Sequence, residues 1–240
     1  MIPWRFLTPR AIGFTFMTVR QHLADKLLRR PSRPIQTIPY VKAHAEQGNP
    51  ASVLATLDRF AREVRWLMSV GPEKDKVLQE VAGMLPENPR VLELGAYCGY
   101  SSIFIADTLA GSTVTTVEIN PDCVQATRAN VDVAGLGNRI TVVEGASGKM
   151  IPTLEGCFDL VFLDHWKDLY LEDLQAIEAR GLIKPGSVVV ADNVGPLFGA
   201  EPYLAYVREN GKYHSENRPA TVEYTNMPDA VEISVLQSTS

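Results

Sequence analysis

Cysteine is scarce: the 240 residues hold three, Cys98, Cys123 and Cys157. An odd number without metal-ligand spacing excludes a disulfide framework and a thiolate metal centre, and it leaves free thiols suited to a reducing, cytoplasmic compartment. Histidine is also thin, at four, and no second histidine or cysteine stands at ligand spacing from His165. Positive charge is in deficit, and a net charge of -5 argues against a nucleic-acid-binding surface. No internal repeat or low-complexity tract occurs. What is present, 45% hydrophobic and 21% charged residues, suits one soluble α/β domain with a well-buried core.

The charge is unevenly spread. Residues 1–34 carry Arg5, Arg10, Arg20, Lys26, Arg29, Arg30 and Arg33 against Asp25, a local +6 that leaves -11 for the rest. Within this segment Ile12, Phe16, Val19, Leu23 and Leu27 fall on one helical face. Its longest uncharged stretch, residues 11–19, is far short of the roughly 20 needed to span a bilayer. A convincing signal-peptide cleavage site is also lacking. A basic amphipathic helix can lie peripherally on an anionic membrane, mimic an organelle-targeting peptide, or pack on the domain or another subunit. Pro31-Ser32-Arg33-Pro34 is expected to end it, which sets a boundary between a basic segment, 1–34, and a domain, 35–240.

Helical patterns at 41–47, 51–66 and 72–85 open the domain, with Asn49 as cap and Pro50 in the first turn of the second. Strand patterns at 90–94, 113–118, 139–144, 158–163 and 187–191 then alternate with helical ones at 102–109, 121–134, 147–154, 168–180 and 201–210. Two last strands, 212–224 and 230–236, have no helix between them and are expected to pair antiparallel. The alternation predicts a doubly wound α/β sheet of seven strands, closed by an antiparallel hairpin and preceded by extra helices.

Two of these strands run straight into chemistry. Residues 158–163 precede Asp164-His165-Trp166-Lys167, and residues 187–191 precede Asp192-Asn193, so both groups emerge at the carboxyl edge of the sheet. Two carboxylates and a side-chain amide suit Mg2+ or Ca2+, with positions left for water or a chelating substrate. A lysine beside such a cation is pushed toward its neutral form, which makes Lys167 a candidate general base. Aspartates at strand ends also serve as plain turn or cap residues, and Asp192-Asn193 alone favours that use.

The first strand runs into Gly95-Ala96-Tyr97-Cys98-Gly99-Tyr100-Ser101 and then an apolar helix. Gly95 and Gly99 allow close backbone approach, and the helix amino terminus favours an anionic group. The dinucleotide fingerprint needs three glycines in a tighter register, so a pyrophosphate is not the expected guest. An ordinary strand-to-helix turn is the alternative. Glu118 lies 23 residues after Gly95, near the roughly 20-residue offset at which an acid meets ribose hydroxyls. A glycine turn with a ribose acid, without pyrophosphate spacing, reads as an S-adenosylmethionine site. Cys98 in this turn reads as a small packing residue.

Taken together, residues 91–101, 161–167 with Tyr170, 191–194, 204–208 and Glu223-Tyr224 resemble the catechol O-methyltransferases, a Mg2+-dependent, S-adenosylmethionine-using family. The glycine stretch is shared by many methyltransferases, whereas Asp-His-Trp-Lys with the later Asp-Asn is restrictive. The resemblance implies a seven-stranded, Rossmann-like methyltransferase sheet. It implies that Gly95, Tyr97 and Ser101 line the methionine part of the cofactor, Glu118 the ribose, and Ser147, His165 and Trp166 the adenine end, with Glu93 supporting the pocket. Trp66, Met68 and Val70 match an apolar lid over substrate and methyl donor. Asp164, Asp192 and Asn193 would hold Mg2+ and a catechol. Lys167 would take one hydroxyl proton, and Glu223 would accept a hydrogen bond from the other hydroxyl.

Departures from the family concern the substrate wall. The loop 193–202 is one residue longer than the family's, and Pro196 is assigned to that wall. Val222 stands where a larger leucine is usual, a methylene worth about 0.8 kcal/mol of apolar contact if buried. Gly148 stands where a glutamine borders adenine. Other vicinal-diol aromatics, such as caffeoyl or flavonoid compounds, are the alternative substrates. A non-catalytic cofactor-binding interaction protein is the alternative from another class, and intact Asp164, Lys167, Asp192, Asn193 and Glu223 weigh against it.

Overall fold

A computed structural model of the protein describes residues 30–69, 71–196, 198–222 and 227–237, with 71–75 described by their backbone alone. The expectations placed on residues 1–29, Val70, Glu223 and Tyr224 lie outside the described residues. The chain opens with α1 (Arg33–His44), α2 (Pro50–Arg59) and α3 (Gly71–Ala82). It continues through β1 (Arg90–Leu94), α4 (Tyr100–Thr108), β2 (Thr113–Glu118), α5 (Pro121–Val133), β3 (Ile140–Glu144) and α6 (Ser147–Met150). Then come β4 (Leu160–Leu163), α7 (Tyr170–Ala179), β5 (Val188–Ala191), α8 (Glu201–Glu209), β6 (Tyr213–Thr221) and β7 (Pro228–Leu236).

The seven strands form one sheet in the order β3-β2-β1-β4-β5-β7-β6. Pairings among β1 to β5 are parallel, and β7 pairs antiparallel with both β5 and β6. The final hairpin therefore folds back on itself, and the last strand, not the sixth, touches β5. β4 and β5 are buried along their whole length, as expected of parallel strands covered by helices on both faces. Alternate strand residues feed two cores. Val91, Val114, Phe162 and Val190 pack with Val53, Leu57, Phe60 and Ile103 on one face. Leu92, Leu94, Val161 and Leu163 pack with Tyr170, Leu174, Ile177, Tyr203 and Val207 on the other. Each fully buried aliphatic side chain contributes about 1.5–3 kcal/mol through its removal from water.

Local chemistry accounts for the helix ends. Asn49 caps α2 by accepting from the Ser52 amide at 3.1 Å, with Pro50 in the first turn. Asn120 and Pro121 repeat the device on α5. Arg33 and Pro34 open α1, and whether a helix ends just before them lies outside the described residues. A proline in the first turn gives up an N–H that has no intrahelical acceptor anyway. The Asn130 amide on α5 donates to Thr37 of α1 at 3.2 Å, which docks this helix onto the sheet's cover. α2 was expected to run to residue 66. Instead it loosens into a π turn over Phe60–Val64, closed by the Arg65 amide on the Phe60 carbonyl at 2.9 Å, and Trp66 and Met68 follow outside any helix or strand. Among the described residues no helix is long and apolar enough to cross a membrane.

Candidate active site

The strand order runs outward in two directions from β1 and β4, and the crevice beyond their carboxyl ends is where open α/β sheets hold ligands. Gly95 leaves β1 with φ +102, and an added Cβ would lie 2.8 Å from the Asp164 carbonyl carbon. The neighbouring loop after β4 therefore fills the space that the sequence suggested for close approach of a ligand. Gly99, at φ +83, caps α4 and presses on Thr127. Tyr97 between them is itself left-handed, at φ +50.

The glycine-turn side is braced by two carboxylates. Glu118, at the end of β2, accepts from the Tyr97 amide at 2.9 Å and from the Asn120 amide at 2.8 Å, so it ties the β1 loop to the β2 loop. Glu93 is fully buried under the same loop and accepts a hydrogen bond from Ser102 in the first turn of α4. Burial pushes its carboxyl above the ordinary 4.5, against the pull of hydrogen bonds from Ser101, Ser102 and Thr116, and the Glu118 charge adds to the rise. Ser101 and Ser147 are buried at the first turns of α4 and α6. Burial also raises the Cys98 thiol, to about 12, which suits the packing role expected of it.

Trp166, 71% exposed after β4, and Ile119, 67% exposed after β2, stand on either side of β1 as an apolar rim. Ile119 escaped the sequence reading, although a large apolar side chain directly after the strand-end acid is a usable signal. His165 holds its Nε2 2.7 Å from the buried Asp173 carboxylate on α7. Where the sequence suggests a lid, the Arg33 guanidinium donates to the Trp66 carbonyl at 3.2 Å, and Met68 is exposed. Burial raises the Tyr97 phenol, while Arg33 and a hydrogen bond to the Met68 backbone pull the other way. Those contacts place Trp66, Met68 and Tyr97 together. An added Cβ at Gly148 would meet open space.

The other half of the crevice is built by β4 and β5. Leu163 pairs with Ala191, and the Asp192 amide donates to the Leu163 carbonyl at 2.9 Å, so Asp164 and Asp192 leave adjacent strands side by side. Asp192 is buried and accepts from the Asn193 amide at 2.7 Å; Asn193 is buried and left-handed, at φ +51. Lys167 Nζ reaches the His165 carbonyl at 3.1 Å, the Tyr170 hydroxyl at 3.0 Å and Asp164 Oδ1 at 3.5 Å. Tyr170 in turn lies 2.8 Å from the Leu163 carbonyl and 3.0 Å from that of Asp192. Burial raises its phenol well above the ordinary value, and the charges of Asp164, Asp192 and Asp229 push it the same way.

Asp229, on β7, was not found from the sequence, because nothing local marks it. It accepts from the Asn193 side-chain amide at 2.8 Å and from the Gly195 amide at 3.2 Å. Among the described residues no three His, Cys, Asp or Glu side chains are arranged to hold a metal ion, so a cation here needs the Asn193 amide as its third donor. The donors fit a hard cation: oxygen atoms from two carboxylates and an amide, in an acidic crevice whose nearby ammonium is Lys167. Pro196 is exposed and Val222 buried. The Val222 amide bonds the Met227 carbonyl at 2.9 Å across the hairpin.

Residues 92–194 match the family model described as a methyltransferase domain. The chain is 43% identical over 215 residues to catechol O-methyltransferase B of Danio rerio, covering 87% of this chain and 80% of that protein. It is 40% identical over 214 residues to catechol O-methyltransferase of Bos taurus, covering 86% and 77%. The fold is similar to that of the O-methyltransferase TomG from Streptomyces achromogenes in complex with SAM, with a TM-score of 0.66, 22% identity, and coverage of 78% of this chain and 90% of that one.

Proposed function

Because the chain belongs to the catechol O-methyltransferase family, we propose that it transfers the methyl group of S-adenosylmethionine to one hydroxyl of a catechol held through Mg2+. The observation that carries this is the Leu163–Ala191 pairing, which delivers Asp164, Asp192-Asn193 and Lys167 to one crevice beside the glycine turn. Asp164, Asp192 and Asn193 would hold the ion. Bound there, Mg2+ supplies a positive centre that two adjacent hydroxyls can share, lowering their pKa.

Lys167 takes the proton of the attacking hydroxyl once its amine is free to accept one. Its three acceptors steer Nζ without a covalent anchor. Tyr170 keeps its own proton, since burial and three aspartates disfavour the phenolate, so it positions the lysine rather than competing as base. Methyl transfer is an in-line displacement: the oxygen–carbon bond forms as the carbon–sulfur bond breaks, and that electron pair stays on sulfur. Tyr97, Ser101, Glu118, Ser147, His165 and Trp166 line the donor's side, with Gly95 shaping the turn and Glu93 bracing it from below. Trp66, Met68, Pro196 and Val222 wall the substrate, and Glu223 accepts from the hydroxyl that keeps its proton. Positioning can supply about 7–11 kcal/mol of such a barrier, which is why a rigid strand-edge clamp suits the reaction.

The test is an assay of purified protein with S-adenosylmethionine across catechols, caffeoyl and flavonoid diols and mono-phenols, with and without chelator. Vicinal diols are expected to turn over only with Mg2+. Equal turnover of a mono-phenol, or full activity after exhaustive chelation, sinks the proposal.

A further inference from the structure

Asn193 carries a problem that its own loop does not solve. A side-chain amide has one acceptor end and one donor end of nearly the same shape, and only the oxygen is of use to a cation. Something must choose between them. Asp229 Oδ2 takes the amide nitrogen at 2.8 Å, and its Oδ1 takes the Gly195 amide at 3.2 Å. Between these two bonds the Val194 amide donates to the Ala230 carbonyl at 3.0 Å, so three consecutive residues after β5 are sewn to the start of β7. The seam is tight, since an added Cβ at Gly195 would lie 2.8 Å from the Asp229 Cα. An ionised carboxylate only accepts. It therefore fixes which way the Asn193 amide faces, and it stabilises the left-handed backbone on which that amide sits.

We propose that Asp229 is a positioning residue for the cation site, holding the Asn193 side-chain oxygen in the ligand role from a strand that contributes no ligand of its own. This rests on the reading of Asp164, Asp192 and Asn193 as the ion's ligands. Outer partners that orient a ligand typically carry about 10–100-fold in metal affinity. The informative variant is Asp229→Asn, which keeps the shape. Its amide oxygen can serve Asn193 or Gly195 but not both in the present geometry, and its NH2 group opposes the other N–H.

Mn2+ is titrated into the full chain and the free ion followed by electron paramagnetic resonance, for the parent protein, Asp229→Asn, Asn193→Ala and the double variant. Thermal melting is recorded alongside. Asp229→Asn is expected to weaken Mn2+ binding about 10–100-fold, while the double variant binds no more weakly than Asn193→Ala alone. Parent-like affinity in Asp229→Asn overturns the proposal. So does an equal further loss in the Asn193→Ala background, because Asp229 would then act by its charge or as a ligand. Should Asp229→Asn not fold, the parent protein decides: its Asn193 side-chain amide protons are expected to be protected from solvent exchange, and rapid exchange overturns the assignment. Absence of Mn2+ binding by the parent, with those amide protons protected, defeats the ligand reading rather than the Asp229–Asn193 bond.

Discussion

Glu118 and Asp164 hold matching places, one ending β2 and the other following β4, on either side of β1, yet their surroundings differ in kind. Around Glu118 the loops turn backbone N–H groups inward, and Tyr97 and Asn120 occupy one carboxylate oxygen each. Around Asp164 the loops turn oxygen atoms inward: the His165, Leu163 and Asp192 carbonyls, the Tyr170 hydroxyl and two more aspartates meet near one lysine. An acid among donors becomes a strut. An acid among acceptors is suited to a cation, the role proposed for Asp164. Residue type and strand-edge position do not separate Glu118 from Asp164; the polarity of the groups around them does.

Breaking the acceptor-rich half should leave the donor-rich half intact. Lys167→Ala is expected to lower kcat about a hundredfold to ten-thousandfold, the usual range for loss of a general base, with S-adenosylmethionine affinity by calorimetry near the parent value. Near-parental kcat at neutral pH would move deprotonation to the cation alone. The converse break is Glu118→Ala. An amide left without its acceptor costs about 1–3 kcal/mol, or roughly 2–4 °C of Tm per kcal/mol in a chain of this size. Weaker cofactor binding with unchanged Mn2+ affinity is expected; a parallel loss of Mn2+ affinity would show that the halves are one unit.

Glu93 sharpens the contrast through pH. Its folded-state pKa is raised, so the folded state binds the proton more tightly, and the stability gained is present below the ordinary 4.5 and lost as pH rises through the folded value. Melting curves should show Tm falling across that window more steeply in the parent than in Glu93→Gln. Identical slopes would mean the carboxyl ionises without penalty. The smallest effect is expected for Gly148→Gln. The site is open, so stability should stay within about 0.5 kcal/mol, and cofactor affinity should rise a few-fold at most, roughly the yield of one exposed hydrogen bond. A loss of affinity would show that the added side chain blocks the pocket.

Much of this was legible in the sequence because it is local. The apolar runs ending at Leu94 and Leu163 announce buried parallel strands, and Asn49-Pro50 announces a helix start that the structure places as expected. Asp164, Lys167, Asp192 and Asn193 could be gathered because each follows a strand pattern, and strands of one parallel sheet share an edge. What stayed hidden depends on partners distant in sequence. Asp229 meets Asn193 only because β7 slides in beside β5, and the order of strands is not written in their periodicity. The start of α1 was hidden for the opposite reason: Pro34 reads locally as a stop although a first turn accepts it, and Pro39 lies inside a helix that docks against α5.

The place of β7 inside the sheet has a consequence for how the chain comes to be folded. A ribosome delivers β5 well before β7, so β5 waits with an open edge and Asn193 without its orienting carboxylate until the last of the seven strands emerges. Contacts between segments so far apart in sequence form late, because the intervening loop must be closed first. The nascent protein can thus hold a nearly finished glycine turn while the crevice around Asp192 and Asn193 is still unmade, and β5 is a segment in need of shelter during synthesis.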